Sequence, residues 1–406
     1  MNGDFGDIAP WKAIVAAVVL AGIVAATLWG VGSRRRLALS IGKWLAAAAG
    51  LAIGQAGLGL VGEQELVTIR PLGGVLLTWI GLIVGLQLSR EVVARVPFAL
   101  LRWSMVDVAL ATAVGAATVW ILSTRPDVDP WTASVGVAAT LVATACLGWS
   151  PETRSLGLGH GRDGLMLATL VQAGAGLQAA IATLAFGVAA CVTDFGPDGV
   201  LRFEARGGLA VLAAATATAV AVGFGCWLLI ERLARRSGER MVVTLGTLAI
   251  LAGTAEWLHT TPLYSGLVCG AVLANLGGAG LRRLEVRLKD AELTLVVAVF
   301  LLAGLLLGPI DLPLFASLVG LALAVRLVGK PAVTALARLP GPPTWPAIRS
   351  VARRPAPIAV AIAVGGVLLR DSQLRRTLLA AMLATGLAMF LLHLVRTASR
   401  RGGVRA

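Results

Sequence analysis

Long apolar runs recur along this sequence from end to end, and they constrain its fold more than any other feature. A run of about 20 apolar residues can cross the hydrocarbon core of a bilayer as an α-helix. Hydrophobic residues fill 57% of the 406 positions and charged residues only 14%, against roughly 25% in soluble globular proteins. Because backbone groups in lipid must bond within their own segment, these runs predict helices. We therefore expect an all-α polytopic membrane protein.

Short polar turns divide the apolar runs into about 13 predicted spans. These spans cover residues 11–32, 37–61, 71–88, 98–123, 131–149, 164–192, 207–230, 241–257, 262–278, 293–309, 312–338, 344–369 and 377–395. An odd count lets span 7 link two six-helix halves of opposite topology, a plan common among secondary transporters. The predicted domains are a first inverted half at 1–206 (spans 1–6), a linker at 207–240 and a second inverted half at 241–406 (spans 8–13).

The distribution of basic residues predicts the orientation of the bundle. With the N-terminus outside, 25 of the 35 Lys and Arg fall in cytoplasmic loops and 8 in outer loops. Cytoplasmic loops of membrane proteins carry such an excess. We expect a multi-pass protein of the cell (inner) membrane, with the N-terminus outside and the C-terminus cytoplasmic. Attraction of these loops to anionic lipid accounts for the net charge of +14, so nucleic acid is not an expected partner.

A family resemblance is carried, in chain order, by the glycine-rich run 33–61 and by 76–93, 255–276, 296–308 and 321–333. These stretches resemble spans 2, 3, 8 and 9, 10 and 11 of the monovalent cation:proton antiporter superfamily, in particular the membrane domain of Kef-type and sodium/proton exchangers. Gln87 stands where the third span of that family has an acid. The resemblance implies a sodium/proton antiporter-like fold of inverted repeats, in which spans 5 and 12 are broken helices that cross near the middle of the membrane.

Two stretches occupy the places of the broken helices. Residues 139–154 contain Thr144, Gly148 and Pro151, and residues 350–366 contain Pro355 and Pro357. Proline removes a backbone donor and exposes carbonyls that could coordinate an ion, so Thr144 is a candidate for the ion site. An ordinary proline kink in each helix is the alternative.

The sixth span departs from the family at its working residue. The resemblance places Gln172 at the position of the ion-binding aspartate and Val171 before it, and the nearest acids, Asp163 and Asp194, lie at the two ends of the run. An amide can ligate a cation through its oxygen but cannot exchange a proton. Gln172 and Val171 are therefore candidate ion-binding residues at which proton exchange is not expected.

Asp107 is the one acidic residue that the sequence places deep inside a predicted span. Charged groups at that depth are costly and are functional candidates with a partner to be named. The expected partners are Arg326 and Lys330, which lie about one helical turn apart in span 11. A structural ion pair, a functional carboxylate, and a position at the lipid edge or a misplaced span boundary remain open for Asp107.

Three further charged positions are candidates near the ends of the spans. Glu256 precedes His259 by three residues at the outer end of span 8, where the two form either a solvated pair or an outer gate. Arg354 lies near the predicted crossing, where it either reaches the cytoplasmic face or lines an anion-accepting cavity. Residues 279–292 alternate apolar and basic residues, which predicts a helix along the cytoplasmic interface.

Three functions remain open from these residues. The first is a secondary-active transporter that moves a monovalent cation or another small ion, with proton coupling in doubt at Gln172. The second is a transport-inactive scaffold or regulatory subunit, and the third is an anion or weak-acid carrier that uses Arg354. No enzyme activity, catalytic residue, metal or cofactor is expected, since motifs for ATP use, metal binding or hydrolysis are missing from the sequence. A homodimer is expected, and a partner subunit is a further option.

Overall fold

The structure, a computed structural model, consists mainly of α-helices. It describes residues 35–61, 63–90, 94, 105–106, 176–188, 190–191, 193–195, 201–203, 205–233, 236–310, 312–324, 327, 357–369 and 373–402. The helices in this part of the chain are α1 (Arg35–Ile53), α2 (Glu63–Leu86), α3 (Gly176–Val188), α4 (Ala205–Arg232), α5 (Ser237–Trp257), α6 (Pro262–Leu276), α7 (Ala279–Leu305), α8 (Leu312–Ala324), α9 (Pro357–Leu369) and α10 (Gln373–Gly402). The prediction of an all-α fold is confirmed.

The described residues include two strands of three residues each, β1 (Thr193–Phe195) and β2 (Leu201–Phe203). They pair antiparallel, with Thr193 opposite Phe203 and Phe195 opposite Leu201. This hairpin lies between predicted spans 6 and 7, so it adds a short ribbon to a loop and leaves the helical architecture unchanged.

Two predicted helix boundaries are wrong. The third span begins at Glu63 instead of residue 71, so Arg70 and Pro71 lie inside α2. Residues 279–292 are the first half of α7, which continues to Leu305, and do not form a separate interfacial helix. The reason is a stripe of buried leucines: Leu281, Leu284 and Leu288 are at most 5% exposed, and the stripe continues at Leu295. Arg282, Arg283 and Arg287, which lie between them, are exposed.

Polar contacts mark the two ends of the helix bundle. At one end, the Glu256 end, Arg376 Nη1 donates to Gln55 Oε1 at 3.0 Å. At the other, the Asn275 end, the backbone N–H of Arg90 donates to Asn275 Oδ1 at 2.9 Å. There the N–H of Leu281 also donates to Glu231 Oε1 at 2.9 Å, which caps the start of α7. Successive helices therefore turn back at these two ends, as helices that cross a membrane repeatedly must.

Glycines bring two pairs of helices into backbone contact. In the α2–α6 pair, a methyl group on Gly81 would overlap the carbonyl oxygen of Leu263, and one on Gly266 would overlap that of Thr78. In the α1–α7 pair, Gly50 lies in the same way against Leu301. The fourth such contact places Gly304 of α7 against the carbonyl oxygen of Ala47. Small residues at helix interfaces in membranes allow such close approach, and these contacts fix the centre of the bundle.

One large hydrophobic cluster joins α1, α2, α3, α6, α7, α9 and α10, with Ala322 of α8 at its edge. Phe300 of α7 is completely buried in it and packs edge to face on Trp44 of α1, with ring centroids 5.1 Å apart. A second cluster joins α4, α5 and α6 to the first half of α7. Helix α7 therefore packs in both clusters.

Candidate functional site

Seven of the residues predicted for the ion site lie outside the described residues: Thr144, Asp107, Val171, Gln172, Arg326, Lys330 and Arg354. Their roles stay predictions. The structure describes Glu256 and His259, together with the helices that would surround the ion site.

Glu256 and His259 lie at the C-terminal end of α5, where the chain turns into α6. The backbone N–H of Thr260 donates to the carbonyl of Ala255 at 2.8 Å, and that of His259 donates to the carbonyl of Glu256 at 3.1 Å. These two bonds form the usual helix-ending motif, whose turning residue has a positive φ and is most often glycine. Here it is His259, with φ of 52°. A β-carbon is disfavoured in this conformation, so the backbone alone does not explain the histidine.

The carboxylate of Glu256 faces Arg70 across the helix interface. Arg70 Nε lies 3.7 Å from Glu256 Oε1, and the two side chains are 44% and 50% exposed. An ion pair this exposed contributes little to stability because solvent screens it. Sequence reasoning missed Arg70 because Pro71 was taken as the start of the span, which put the arginine in a loop.

Arg70 and Glu256 stand at the mouth of a cavity of about 210 Å³, which we call the Arg70 cavity. Its walls come from α2, α5, α9 and the turn before α6: Pro71, Gly74, Val75, Ala249, Ala252, Gly253, Thr260, Pro262, Gly365 and Leu368. Apart from the Arg70–Glu256 pair and the hydroxyl of buried Thr260, these side chains are apolar or absent. Because Gly365 and Leu368 belong to α9, the cavity extends from the Glu256 end to the second half of predicted span 12.

A buried amide marks the opposite end of the same helices. Gln87 follows α2, and its Oε1 lies so close to Gly176 of α3 that a methyl group there would overlap it. Both polar atoms of this amide are buried, and they have no hydrogen-bond partner within the part of the chain that the structure describes. Gly176 is four residues beyond Gln172, so the structure brings the residue that replaces the third-span acid beside the sixth span. Sequence reasoning noted each substitution and did not predict that the two lie close together.

The chain resembles a solved transporter structure over almost its whole length. The sodium proton antiporter MjNhaP1 from Methanocaldococcus jannaschii superimposes with a TM-score of 0.62 at 13% sequence identity, covering 93% of this chain and 96% of that one. This chain has the sodium/proton antiporter fold. The resemblance to the cation:proton antiporter superfamily predicted from the sequence is thereby confirmed for the fold.

The antiporter fold also agrees with two broader predictions. MjNhaP1 is a transporter, in agreement with the expectation that this chain is not an enzyme, and its fold supports a multi-pass membrane location. No protein-family model matches the sequence, and no curated protein is significantly similar to it. At 13% identity the likeness establishes the fold alone, and the span count, the ion and the coupling stay predictions.

Proposed function

We propose that this protein is a secondary-active transporter that moves a monovalent cation or another small ion across the membrane. The observation that carries the proposal is the antiporter fold, matched over 93% of the chain. The Arg70 cavity supports it, because an ion-sized path would run from the Arg70–Glu256 pair to α9. Charges at the mouth of an apolar-walled cleft concentrate ions of opposite sign. Glu256 would attract a cation, and Arg70 would compete with that cation for the carboxylate.

The two halves, 1–206 and 241–406, are proposed to be inverted repeats on either side of the linker 207–240. Under that relation span 2 (α1) corresponds to span 9 (α6), and span 3 (α2) corresponds to span 10 (α7). The α1–α7 contact of one half-pair therefore corresponds to the α6–α2 contact of the other. The glycines match in this exchange: the pair Gly50 and Gly54 corresponds to Gly266 and Gly270, and the pair Gly304 and Gly308 to Gly81 and Gly85. Gly50 lies against the carbonyl oxygen of Leu301, and Gly266 lies against that of Thr78. Leu301 is three residues before Gly304, and Thr78 is three residues before Gly81, so the two contacts have the same geometry along the chain.

The orientation and assembly complete the proposal. The excess of basic residues places the Glu256 end outside and the Asn275 end in the cytoplasm of the cell (inner) membrane. A homodimer through spans of the first half, and a partner subunit, remain part of the proposal on the family resemblance.

The test is transport by purified protein in liposomes that contain a pH-sensitive dye. Sodium, potassium and chloride gradients are imposed in turn. Cation-driven proton movement supports the proposal, and chloride-driven movement that is lost in Arg354→Gln favours the anion carrier. Silence under every gradient favours the inactive scaffold, which the amide at Gln172 makes the leading alternative.

Two substitutions then locate the coupling residue. Proton movement that disappears in Asp107→Asn assigns the coupling to that carboxylate. Gln172→Asp is expected to increase cation–proton exchange if the cavity around span 6 accepts a cation. A Gln172→Asp protein that folds and shows no such increase argues against an ion site at this position.

A further inference from the structure

Glu292 is a buried acid in a part of α7 that the sequence placed at the membrane surface. Its side chain is 1% exposed. It lies midway between Ala279 and Leu305, roughly 20 Å from either end of the helix at 1.5 Å per residue. Leu288 and Leu295, one turn away on either side, are both buried in the hydrophobic clusters. The sequence indicated that Asp107 is the one acid deep inside a span. The burial of Glu292 in the middle of α7 adds a second candidate.

The depth of Glu292 follows from contacts between α2 and its neighbours. Gly73 of α2 packs against the side chain of Leu302 of α7. The two helices run antiparallel, so Glu292, ten residues before Leu302, lies at the level of Ile83, ten residues after Gly73. Leu77 of α2 and Phe186 of α3 both flank Gly365, and Gln87 after α2 meets Gly176 of α3. Counting two residues along each helix from the Gln87–Gly176 contact places Gln178 of α3 at the level of Gly85 of α2.

These levels put three side chains with buried polar atoms within about one helical turn in depth. They are Glu292 of α7, Gln178 of α3, which is completely buried, and Gln87 after α2. Ile83, Ala179 and Leu295 beside them belong to a single hydrophobic cluster. Polar and ionisable side chains are costly at this depth, which makes these three candidates for a function.

The charged groups on the helices around α7 are few at this depth. Helices α1, α2, α4, α5 and α9 pack against it. Among the described residues, their acidic and basic side chains are Lys43 in α1, Glu65 and Arg70 in α2, Glu231 and Arg232 in α4, and Glu239, Arg240 and Glu256 in α5. Of these only Lys43 is fully buried, at 3% exposure.

We propose that Glu292 is the proton-carrying carboxylate of this transporter and that Gln178 and Gln87 complete its site with amide oxygens. This rests on the proposed transport function. Burial makes the charged form of a carboxylate costly, and a proton on a Glu292 oxygen or a small cation beside it offsets that cost. When a cation binds, the proton leaves, and when the cation leaves, one proton returns. Such alternation is the exchange that the amide of Gln172 cannot perform.

The test uses Glu292→Gln and Glu292→Asp, with Glu285→Gln as the matched control. Glu285 lies two turns earlier in α7 and is only partly buried. The first readout is the carboxyl infrared band of the purified protein as pH and cation concentration change. Wild type and Glu285→Gln are expected to share a component of the band that responds to both pH and cation, and this component should be displaced in Glu292→Asp and missing in Glu292→Gln. A band unchanged in Glu292→Gln overturns the proposal.

The second readout is cation-driven proton movement in liposomes. Glu292→Gln is expected to fall to the level of empty liposomes, while Glu292→Asp and Glu285→Gln keep measurable exchange. Full exchange in Glu292→Gln overturns the proposal, as does its loss in all three variants alike. If the wild type moves no ions, the proposed function fails, and the infrared band still decides whether Glu292 titrates. If Glu292→Gln does not fold, the band of Glu292→Asp shows whether residue 292 titrates: a displaced band supports the proposal, and a band identical to that of the wild type overturns it.

Discussion

Two side chains at the Glu256 end are better explained by function than by stability. His259 occupies a left-handed turn position at the end of α5 that glycine adopts without strain. The neighbouring Arg70–Glu256 pair is too exposed to hold helices together. A strained residue beside a weak ion pair at the mouth of a cavity indicates a site that binds or gates ions.

Replacing His259 with glycine is expected to stabilise the protein by about 1 kcal/mol, because the left-handed conformation no longer opposes a β-carbon. The measurement is thermal unfolding in detergent. His259→Ala is the control: it removes the imidazole, keeps the strain, and should bring no such gain. If the imidazole acts as a gate, both variants change the transport rate equally. Equal stability of the glycine and alanine variants would show that the turn is unstrained.

Glu256→Gln is expected to slow cation uptake at low ionic strength while changing stability by less than about 1 kcal/mol. The carboxylate attracts cations to the Arg70 cavity, and salt screens that attraction over roughly 10 Å at 0.1 M. The measurement is the initial transport rate at rising concentrations of a salt that is not transported, with Glu65→Gln on α2 as the control. A deficit that persists undiminished at high salt would contradict an electrostatic role.

At the scale of the elements, the glycine contacts are the specific feature of this fold. Methyl groups on Gly50, Gly81, Gly266 and Gly304 would each overlap a backbone carbonyl, which cannot move aside as a side chain can. Other helical glycines, such as Gly246 in α5, face open space. Identical substitutions therefore have opposite expected effects at the two kinds of position.

Gly266→Ala is expected to abolish or strongly reduce folding, since α6 must move away from α2. Gly246→Ala should stabilise its helix by about 0.5–1 kcal/mol, the ordinary advantage of alanine over glycine. Monodispersity and thermal unfolding of the purified variants measure both effects. If the halves are inverted repeats, Gly50→Ala should match Gly266→Ala. A well-folded Gly266→Ala protein would contradict the α2–α6 contact.

The sequence predicts the helical class, the order of the spans and the family resemblance, because these depend on apolar runs and local motifs. It does not predict which helices pair, since the spaced glycines of α1, α2, α6 and α7 are present in the sequence without their partners. Glu292 was misplaced for a related reason. The charges around it resemble a surface helix, and only tertiary packing shows that the leucine stripe from Leu281 is buried. Gln87 and Gly176 are likewise too far apart in sequence for pattern reasoning to join them.

At the scale of the whole molecule, the fold joins two ends with different chemistry. The Glu256 end carries a cavity with an exposed ion pair, and a buried polar layer of Glu292, Gln178 and Gln87 lies toward the Asn275 end. Helix α9 borders the cavity, and α2 runs from one region to the other. A transporter that exposes its site alternately to two sides needs polar groups at both depths.

The orientation can be checked with single cysteines introduced after the four native cysteines are replaced. Gln55→Cys is expected to react with a membrane-impermeant maleimide added to intact cells, because the basic-residue bias places the Glu256 end outside. Asn275→Cys should react only after permeabilisation. The reverse labelling pattern would show that the bundle is inserted the other way.

Uptake of radioactive sodium or rubidium by proteoliposomes under an imposed pH gradient tests whether this chain is a secondary-active ion transporter. We expect uptake above that of protein-free liposomes, which a protonophore abolishes and which is lost in Glu292→Gln. Uptake by folded wild-type protein equal to that of protein-free liposomes, for both ions and both directions of the gradient, would contradict that expectation.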